Sequence, residues 1–381
     1  MLTRPENVIL IGNYGAGNLG DDLLCRQAIL GIKSQYPDCS IVVLAADPQA
    51  IKFCDDLVFG RGTIFPSGPR SFLKGLFSGD LFASMRMVAR AELLVFGGGG
   101  LLNREEIQSL WIWGLNILGF DWLRKRKSLL IMLGQSFNLP KRGLIRQICR
   151  NLLNRFDIIT VREQLSYKEL KLLKFSRAIV RETADLAFGF EPEKLVFNSG
   201  DDQYAVLSLR EYRGIDHDQL KRIIMATVNY LVIDLGLRIE FLPMEAPDLD
   251  FAQILTADFP ERIKNAISFR SVDSLTELSS LIAGCRLVVA MRLHAGILGL
   301  LGNKPVFYLS YSSKVIGVMK AAGAEFGICL RSEARIPEAE IVSRLANAIE
   351  NIQPSKSPVE LRKLADKNFE LISFSGIKKR A

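Results

Sequence analysis

The chain has 381 residues, of which 49% are apolar and 24% charged, with a formal net charge of +8. That composition is ordinary for a folded soluble protein and leaves room for two domains with separate cores. Six cysteines, at 25, 39, 54, 149, 285 and 329, include no CxxC pair, so neither a zinc knuckle nor a disulfide framework is indicated, and free thiols fit a reducing cytoplasm.

The first residues, 1–7, are polar and of mixed charge, unlike a secretory signal. Residues 8–11 form a continuous apolar run, as a strand buried on both faces requires. A glycine-rich loop follows, then a helix over about 21–36, with Leu24, Ala28, Gly31 and Ile32 at helical spacing. Further strands are expected at 40–45, 93–96, 129–133, 158–161 and 178–180. The stretch 191–202, with Pro192, Gly200 and several charges, reads as a linker. A second series has strands at 204–209, 239–242, 287–291 and 306–309, and helices near 216–235, 276–283, 294–301 and 338–351. A last helix is expected over 358–371, packing back across the domains. No apolar run approaches the ~20 residues that span a bilayer. The longest, 287–301, is broken by Arg292 and His294.

Strands alternating with helices imply parallel sheets with right-handed crossovers. The expected class is α/β, with two doubly wound Rossmann-like domains facing a cleft, as in the two-domain fold called GT-B. The domains are 1–190 and 203–352, followed by a C-terminal helix and tail at 353–381.

Three stretches carry chemistry. Gly15-Ala16-Gly17-Asn18-Leu19-Gly20 matches GxGxxG between a strand and a helix, and Asp47 stands where a ribose ligand would. The motif begins three residues after the strand glycine Gly12, however, and Asp21 and Asp22 at the helix start cap the helix but repel phosphate. A loop that binds neutral hydroxyls through Asn13, Asn18 and Asp21 fits these charges better; a turn with a helix cap is the plain alternative. The second stretch, Gly97-Gly98-Gly99-Gly100, directly follows a buried strand and exposes backbone N–H groups, with Asn103 nearby. In the third, Arg292 and His294 stand where a strand gives way to a helix, where parallel sheets bind ligands. Arg162 and Arg210 also follow strands, and together with Arg292 they suit an anion with several negative oxygens. Asp185 is a structural partner for one of them. His217 lies in a polar stretch and should be exposed. No His/Cys/carboxylate cluster has ligand spacing, so no catalytic metal is expected. A basic run at 124–127, continued by Lys141, Arg142, Arg146, Arg150 and Arg155, reads as a solvated face or as one that meets an anionic surface. With the apolar, basic stretch 72–77 it would dock peripherally on a membrane. No nucleic-acid-binding module is recognisable.

Taken together, these residues resemble the polysaccharide pyruvyl transferase family. The matching stretches are 12–22, 97–102, Gln135, Val161-Arg162-Glu163 with Ser166, Thr183-Ala184-Asp185, Ser208-Leu209-Arg210, Phe241-Leu242-Pro243-Met244, Arg292-Leu293-His294, and Ser310-Tyr311 with Lys314-Val315. The resemblance implies a GT-B-like fold and transfer of pyruvate from phosphoenolpyruvate to a sugar as a cyclic ketal, with no cofactor besides this co-substrate. It implies a donor site of Arg292, Arg162, Arg210 and Lys314, with His294 as acid/base beside Arg292. It implies an acceptor site of Asn13, Tyr14, Gly15, Asn18, Asp21, Gly98, Gly99, Gly100, Asn103 and Gln135. The acceptor would be a sugar or lipid-linked oligosaccharide at the inner face of the cell membrane. The chain departs from the family at Gln135-Ser136-Phe137-Asn138-Leu139-Pro140, where Gly-Pro often follows the glutamine, and at Tyr311-Ser312-Ser313-Lys314, where Tyr-Asp-Pro-Lys is common. These departures bear on the acceptor more than the donor. The competing readings are a nucleotide-sugar glycosyltransferase of the same architecture and a non-catalytic sugar-binding relative.

Overall fold

The structure, a computed structural model, describes residues 4–45, 47–63, 80–102, 107–125, 127–191, 203–324, 326–332, 336–350 and 356–372, with the side chains of 63, 80–81, 107–109 and 313–314 set aside. The chain forms two compact units, Met1–Gly189 with Lys363–Ala381, and Phe190–Arg362.

The first unit runs β1 (Asn7–Ile11), α1 (Leu19–Gln35), β2 (Ser40–Ala45), β3 (Gly60–Thr63), α2 (Asp80–Arg90), β4 (Leu93–Phe96), α3 (Ile107–Leu123), β5 (Leu129–Gln135), α4 (Leu144–Leu153), β6 (Ile158–Val161), α5 (Gln164–Lys171) and β7 (Ile179–Glu182). Its seven strands lie in the order β3-β2-β1-β4-β5-β6-β7, all parallel. The strands read as apolar runs because helices cover both faces: every residue of β4 is buried, as are Val8 to Ile11 in β1. On one face Phe96 meets Trp113, Phe120 and Phe156 edge-on at 5.4–6.2 Å between ring centroids. Each such pair contributes about 0.5–1.5 kcal/mol beyond its buried area.

The second unit runs β8 (Tyr204–Ser208), α6 (His217–Asn229), β9 (Arg238–Phe241), α7 (Ala246–Thr256), α8 (Glu261–Lys264), β10 (Ile267–Phe269), α9 (Leu275–Ala283), β11 (Leu287–Ala290), α10 (Leu293–Leu301), β12 (Val306–Ser310), α11 (Ser313–Ala321), β13 (Gly327–Cys329) and α12 (Glu338–Glu350). Its order is β10-β9-β8-β11-β12-β13, again parallel. The helix expected over 216–235 ends its α-helical part at Asn229 and continues as a π turn, Tyr230–Asp234. Gly236 then takes φ +66, a left-handed conformation that stops the helix.

A last helix, α13 (Pro358–Glu370), brings the chain back to the first unit. There the Asn368 side chain accepts from the hydroxyls of Thr160 and Thr183 and donates to the carbonyl of Ala184, and the Tyr36 hydroxyl donates to the carbonyl of Ile372. Phe369 fills the space that a side chain at Gly31 would take.

Both sheets reverse direction at their first strand. In the first unit the reversal lies between β1 and β4, and in the second between β8 and β11. The helices from neighbouring strands diverge there, which leaves a crevice at the carboxyl ends of those two strands.

Candidate functional site

The loops at the two reversals contain most of the residues singled out in the sequence. In the first unit, β1 delivers the loop after Ile11 and β4 delivers Gly97 to Gly100. Asn18 caps α1, its side chain accepting from the N–H groups of Gly20 and Asp21 at 2.9 and 3.3 Å. Asn13 donates to Asp21 at 3.1 Å. These three polar side chains therefore brace one another at the rim, with Asn13 exposed and Asn18 and Asp21 half-buried. Beneath them Asp22 accepts from the N–H groups of Gly15 and Lys52, both at 2.9 Å. Burial raises its carboxyl above the ordinary value, and those two bonds oppose the shift.

Tyr14 was expected on the acceptor but is buried as the wall behind both loops. Its ring lies against Gly12 and its hydroxyl against Gly97, each too close to admit a Cβ. The hydroxyl finds no hydrogen-bond partner among the described residues. Gly15 has φ +65, and a Cβ there would strike the carbonyl of Asp47. Gly98 is held by Leu24, whereas Gly99, at φ +113, faces open space and Gly100 is exposed. Gln135 is fully buried and serves the loop from behind: it donates to the carbonyl of Gly97 at 3.1 Å and accepts from the N–H of Leu101 at 3.4 Å. Asn103 lies outside the described residues.

Arg162 follows β6, away from the reversal, and is buried. It donates to Ser136 at 2.6 Å and pairs with Asp185, the partner suggested by sequence. Ser136 donates onward to the buried carboxylate of Glu163 at 3.1 Å, and Ser166 donates to that same carboxylate. An anion reaching Arg162 would have to displace this network.

In the second unit, Met291 donates its N–H to the carbonyl of Ser208 across the reversal, and Arg210 and Arg292 follow on the two sides. The Arg292 guanidinium, expected on a donor anion, forks instead onto Asp248 and Glu245. Its Nε reaches Asp248 at 2.8 Å, its Nη atoms reach Glu245 at 3.0 and 2.8 Å, and one Nη also meets Asp248. Asp248 in turn caps α7 by accepting from the N–H groups of Met244 and Glu245. Burial alone would lower the Arg292 pKa, but the hydrogen bonds and charges of Asp248 and Glu245 outweigh it and raise it. The sequence reading missed both carboxylates; the signal was Glu245-Ala246-Pro247-Asp248, a capping pattern directly after the family stretch at 241–244.

His294 is the second residue of α10, half-buried, with Nε2 shielded from solvent. Among the described residues Arg210 makes only long hydrogen bonds, both at 3.4 Å, to the carbonyl of Glu211 and the Tyr311 hydroxyl. It lies 5.5 Å from the centroid of the Tyr311 ring, which meets Tyr212 at 4.2 Å between centroids with the planes tilted by 35°, and Arg331 covers Tyr212 at 5.4 Å. This pair of tyrosines between two guanidinium groups was not foreseen as a unit, because its members come from the ends of β8, β12 and β13. Lys314 lies in α11, but its side chain is not described. His217 is exposed, 3.7 Å from Glu211.

Among the described residues no group of three or more His, Cys, Asp or Glu is placed to hold a metal ion. Nor is any helix among them long and apolar enough to cross a membrane. The stretch 72–77 and Arg126 lie outside the described residues.

A sequence model of the family described as polysaccharide pyruvyl transferase matches residues 18–313. The chain belongs to the polysaccharide pyruvyl transferase family. The match takes in Arg162, Arg210, Arg292 and His294 but begins after Asn13 and Tyr14. No curated protein matches the sequence. Among solved structures, UDP-GlcNAc 2-epimerase from Methanocaldococcus jannaschii is similar with a TM-score of 0.64 at 11% identity, covering 96% of this chain and 99% of that one. S. aureus MnaA, solved with UDP, gives a TM-score of 0.63 at 10% identity, covering 98% and 97%. Anabaena Alr3699/HepE, in complex with UDP and glucose, gives 0.56 at 14% identity, covering 98% of both chains. At these identities the likeness is one of fold: two Rossmann-like domains of the GT-B kind.

Proposed function

We propose that this member of the polysaccharide pyruvyl transferase family transfers pyruvate from phosphoenolpyruvate to two hydroxyls of a sugar, free or lipid-linked, and releases phosphate. The reading is carried by His294 and Arg210 following the two strands that flank the reversal of the second sheet. Arg210 receives the anion, since Arg292 and Arg162 are already held by carboxylates. Arg331 adds a second cation beside the tyrosines, and Lys314 is the further donor cation that the family resemblance implies. Arg292 is a positioning residue, fixing Glu245 and the start of α10. The loops of the first unit receive the sugar at their rim, through Asn13, Asn18, Asp21 and the backbone of Gly99 and Gly100, with Tyr14, Gly98 and Gln135 supporting them from behind.

Protonation of the donor's methylene carbon leaves an oxocarbenium-like carbon beside it. One sugar hydroxyl adds there, the bond to the phosphate oxygen breaks, and the second hydroxyl closes the ketal. Of the two hydroxyl protons, one ends in the new methyl group and the other on phosphate. His294 carries a proton between hydroxyl and methylene, and Arg210 stabilises the departing phosphate.

One observation favours a second reading: Tyr212 and Tyr311 set two aromatic rings beside the Arg210 cation, a combination that suits a nucleotide base and diphosphate. Thermal melting with phosphoenolpyruvate, UDP and NAD separates the two. Phosphoenolpyruvate at about 100 times its Kd should stabilise the protein by about 2.7 kcal/mol, with no shift from NAD. Stabilisation by UDP alone would transfer the site to the nucleotide-sugar reading. His294→Ala should keep the fold and donor binding yet lose turnover by about 10²–10⁴-fold, read as phosphate release. A folded variant with near wild-type turnover would remove His294 from the chemistry.

A further inference from the structure

Helix α3 carries two apolar faces. Leu110, Trp113, Ile117 and Phe120 point into the core against the first sheet. Trp111, Leu115, Leu118 and Trp122, spaced 4, 3 and 4 residues apart, form a second stripe that faces solvent, with exposures of 55, 66, 40 and 80%. The two helices packed against α3 carry further exposed apolar residues, Phe82 on α2 and Leu144 and Ile145 on α4. Scattered exposed apolar residues need no explanation, but a contiguous patch marks an interaction surface.

The charge around the stripe selects its partner. Between residues 107 and 156 the chain has nine basic residues and one acidic one, Asp121. That carboxylate is already paired with Arg124 and Arg155. Lys125 and Lys127 are exposed just beyond α3, Lys141 and Arg142 just before α4, and Arg86 and Arg90 on α2. Lys141, Arg142, Arg146 and Arg150 line an open basic cavity of about 440 Å³, within whose lining sequence Leu144 and Ile145 fall. A second copy of the chain seated on the same stripe would bring like charges face to face, because a two-fold contact opposes a patch to itself.

We infer that α3, flanked by α2 and α4, is a peripheral docking face for an anionic bilayer. Its tryptophans and leucines lie at the acyl boundary and the surrounding lysines and arginines on lipid phosphates. Interfacial helices of this kind join an apolar face to a basic rim, and tryptophan favours the headgroup level. The inference does not rest on pyruvyl transfer: binding is read without substrate, so its failure leaves that reading untouched.

The chain supplies its own probe. All three tryptophans, Trp111, Trp113 and Trp122, lie in α3. With vesicles of phosphatidylcholine containing phosphatidylglycerol, the full chain should co-sediment, and its tryptophan emission should move to the blue. Both effects should weaken with salt and be small on phosphatidylcholine alone. Leu115→Glu, in the middle of the stripe, should reduce vesicle binding by about tenfold or more while leaving the melting temperature near wild type. Trp122→Gln is a second variant at an exposed site should the first fail to fold. Absence of binding at low ionic strength, or equal binding by a folded stripe variant, overturns the inference. So does a concentration-dependent dimer that Leu115→Glu dissociates while vesicles remain unbound, which would make a second copy the occupant.

Discussion

Replacing Gly97 by alanine tests the wall behind the first glycine loop. The backbone there lies outside the left-handed region, so alanine is not excluded by its φ. The obstacle is a single atom: a Cβ would fall well inside 3.0 Å of the Tyr14 hydroxyl, whereas its next neighbours are Leu10 Cδ1 at 3.1 Å and Tyr14 Cζ at 3.5 Å. Overpacking of this kind costs about 1–3 kcal/mol. Tyr14→Phe removes the obstructing atom. It also removes a buried hydroxyl that has no partner among the described residues, so it should be neutral or stabilising by up to about 1 kcal/mol. In the Tyr14→Phe background, Gly97→Ala should then cost at least about 1 kcal/mol less than in the wild type. At about 2–4 °C per kcal/mol for a unit of this size, the difference is visible in melting curves of the four proteins. The unfolded-state gain of alanine over glycine appears in both arms and cancels. Equal destabilisation in the two backgrounds would refute the clash. A Tyr14→Phe variant that loses more than about 2 kcal/mol would refute the orphaned hydroxyl. A stable Tyr14→Phe variant that has lost turnover would instead mean that the hydroxyl meets the substrate.

Arg292→Ala strands Glu245 and Asp248 without their cation and should cost about 3–5 kcal/mol, read by chemical denaturation. Glu245→Gln with Asp248→Asn in that background should recover part of the loss, and no recovery would mean the fork does not carry the effect. The Asp22 carboxyl is raised above its ordinary 3.8 by burial, so the stabilisation it contributes is complete below that value and is lost as pH rises through the folded value. The stability of the wild type relative to Asp22→Asn should therefore rise as pH falls from 7 towards 4. A gap that stays flat or narrows on acidification would refute the shift.

The strand ends were legible because buried parallel strands leave long apolar runs, and glycines mark where each stops; 8–11 and 93–96 are the clearest. Of the edge strands, β7 was expected at 178–180, but β3, β10 and β13 were not, for a physical reason. β3 is Gly-Arg-Gly-Thr, while β10 and β13 have three residues each, too short and too little buried to leave an apolar run. The glycines were read as ligand contacts, yet Gly97 and Gly98 are glycine to clear Tyr14 and Leu24, whereas Gly99 faces open space and Gly100 is exposed. Spacing cannot separate these causes, since both demand a missing side chain. The carboxylates on Arg292 lie 44 and 47 residues away in sequence, within reach only once β9 and β11 are placed on either side of β8. Helix α3 was not singled out from sequence; it is apolar on every side, so no pattern marks its solvent-facing stripe, which emerges only from the packing.

The return of α13 to the first unit has a consequence for biosynthesis. A chain leaving the ribosome usually completes its N-terminal domain first. Here Thr160 and Thr183 wait for Asn368, and Tyr36 for the carbonyl of Ile372, so the first sheet emerges early and is closed late. The second unit, Phe190–Arg362, is synthesised entirely within that interval. The opening domain thus spends the making of the whole second domain with the Gly31 face of α1 uncovered, a window in which a chaperone, or a truncating stop codon, would act on the front of the protein through its far end.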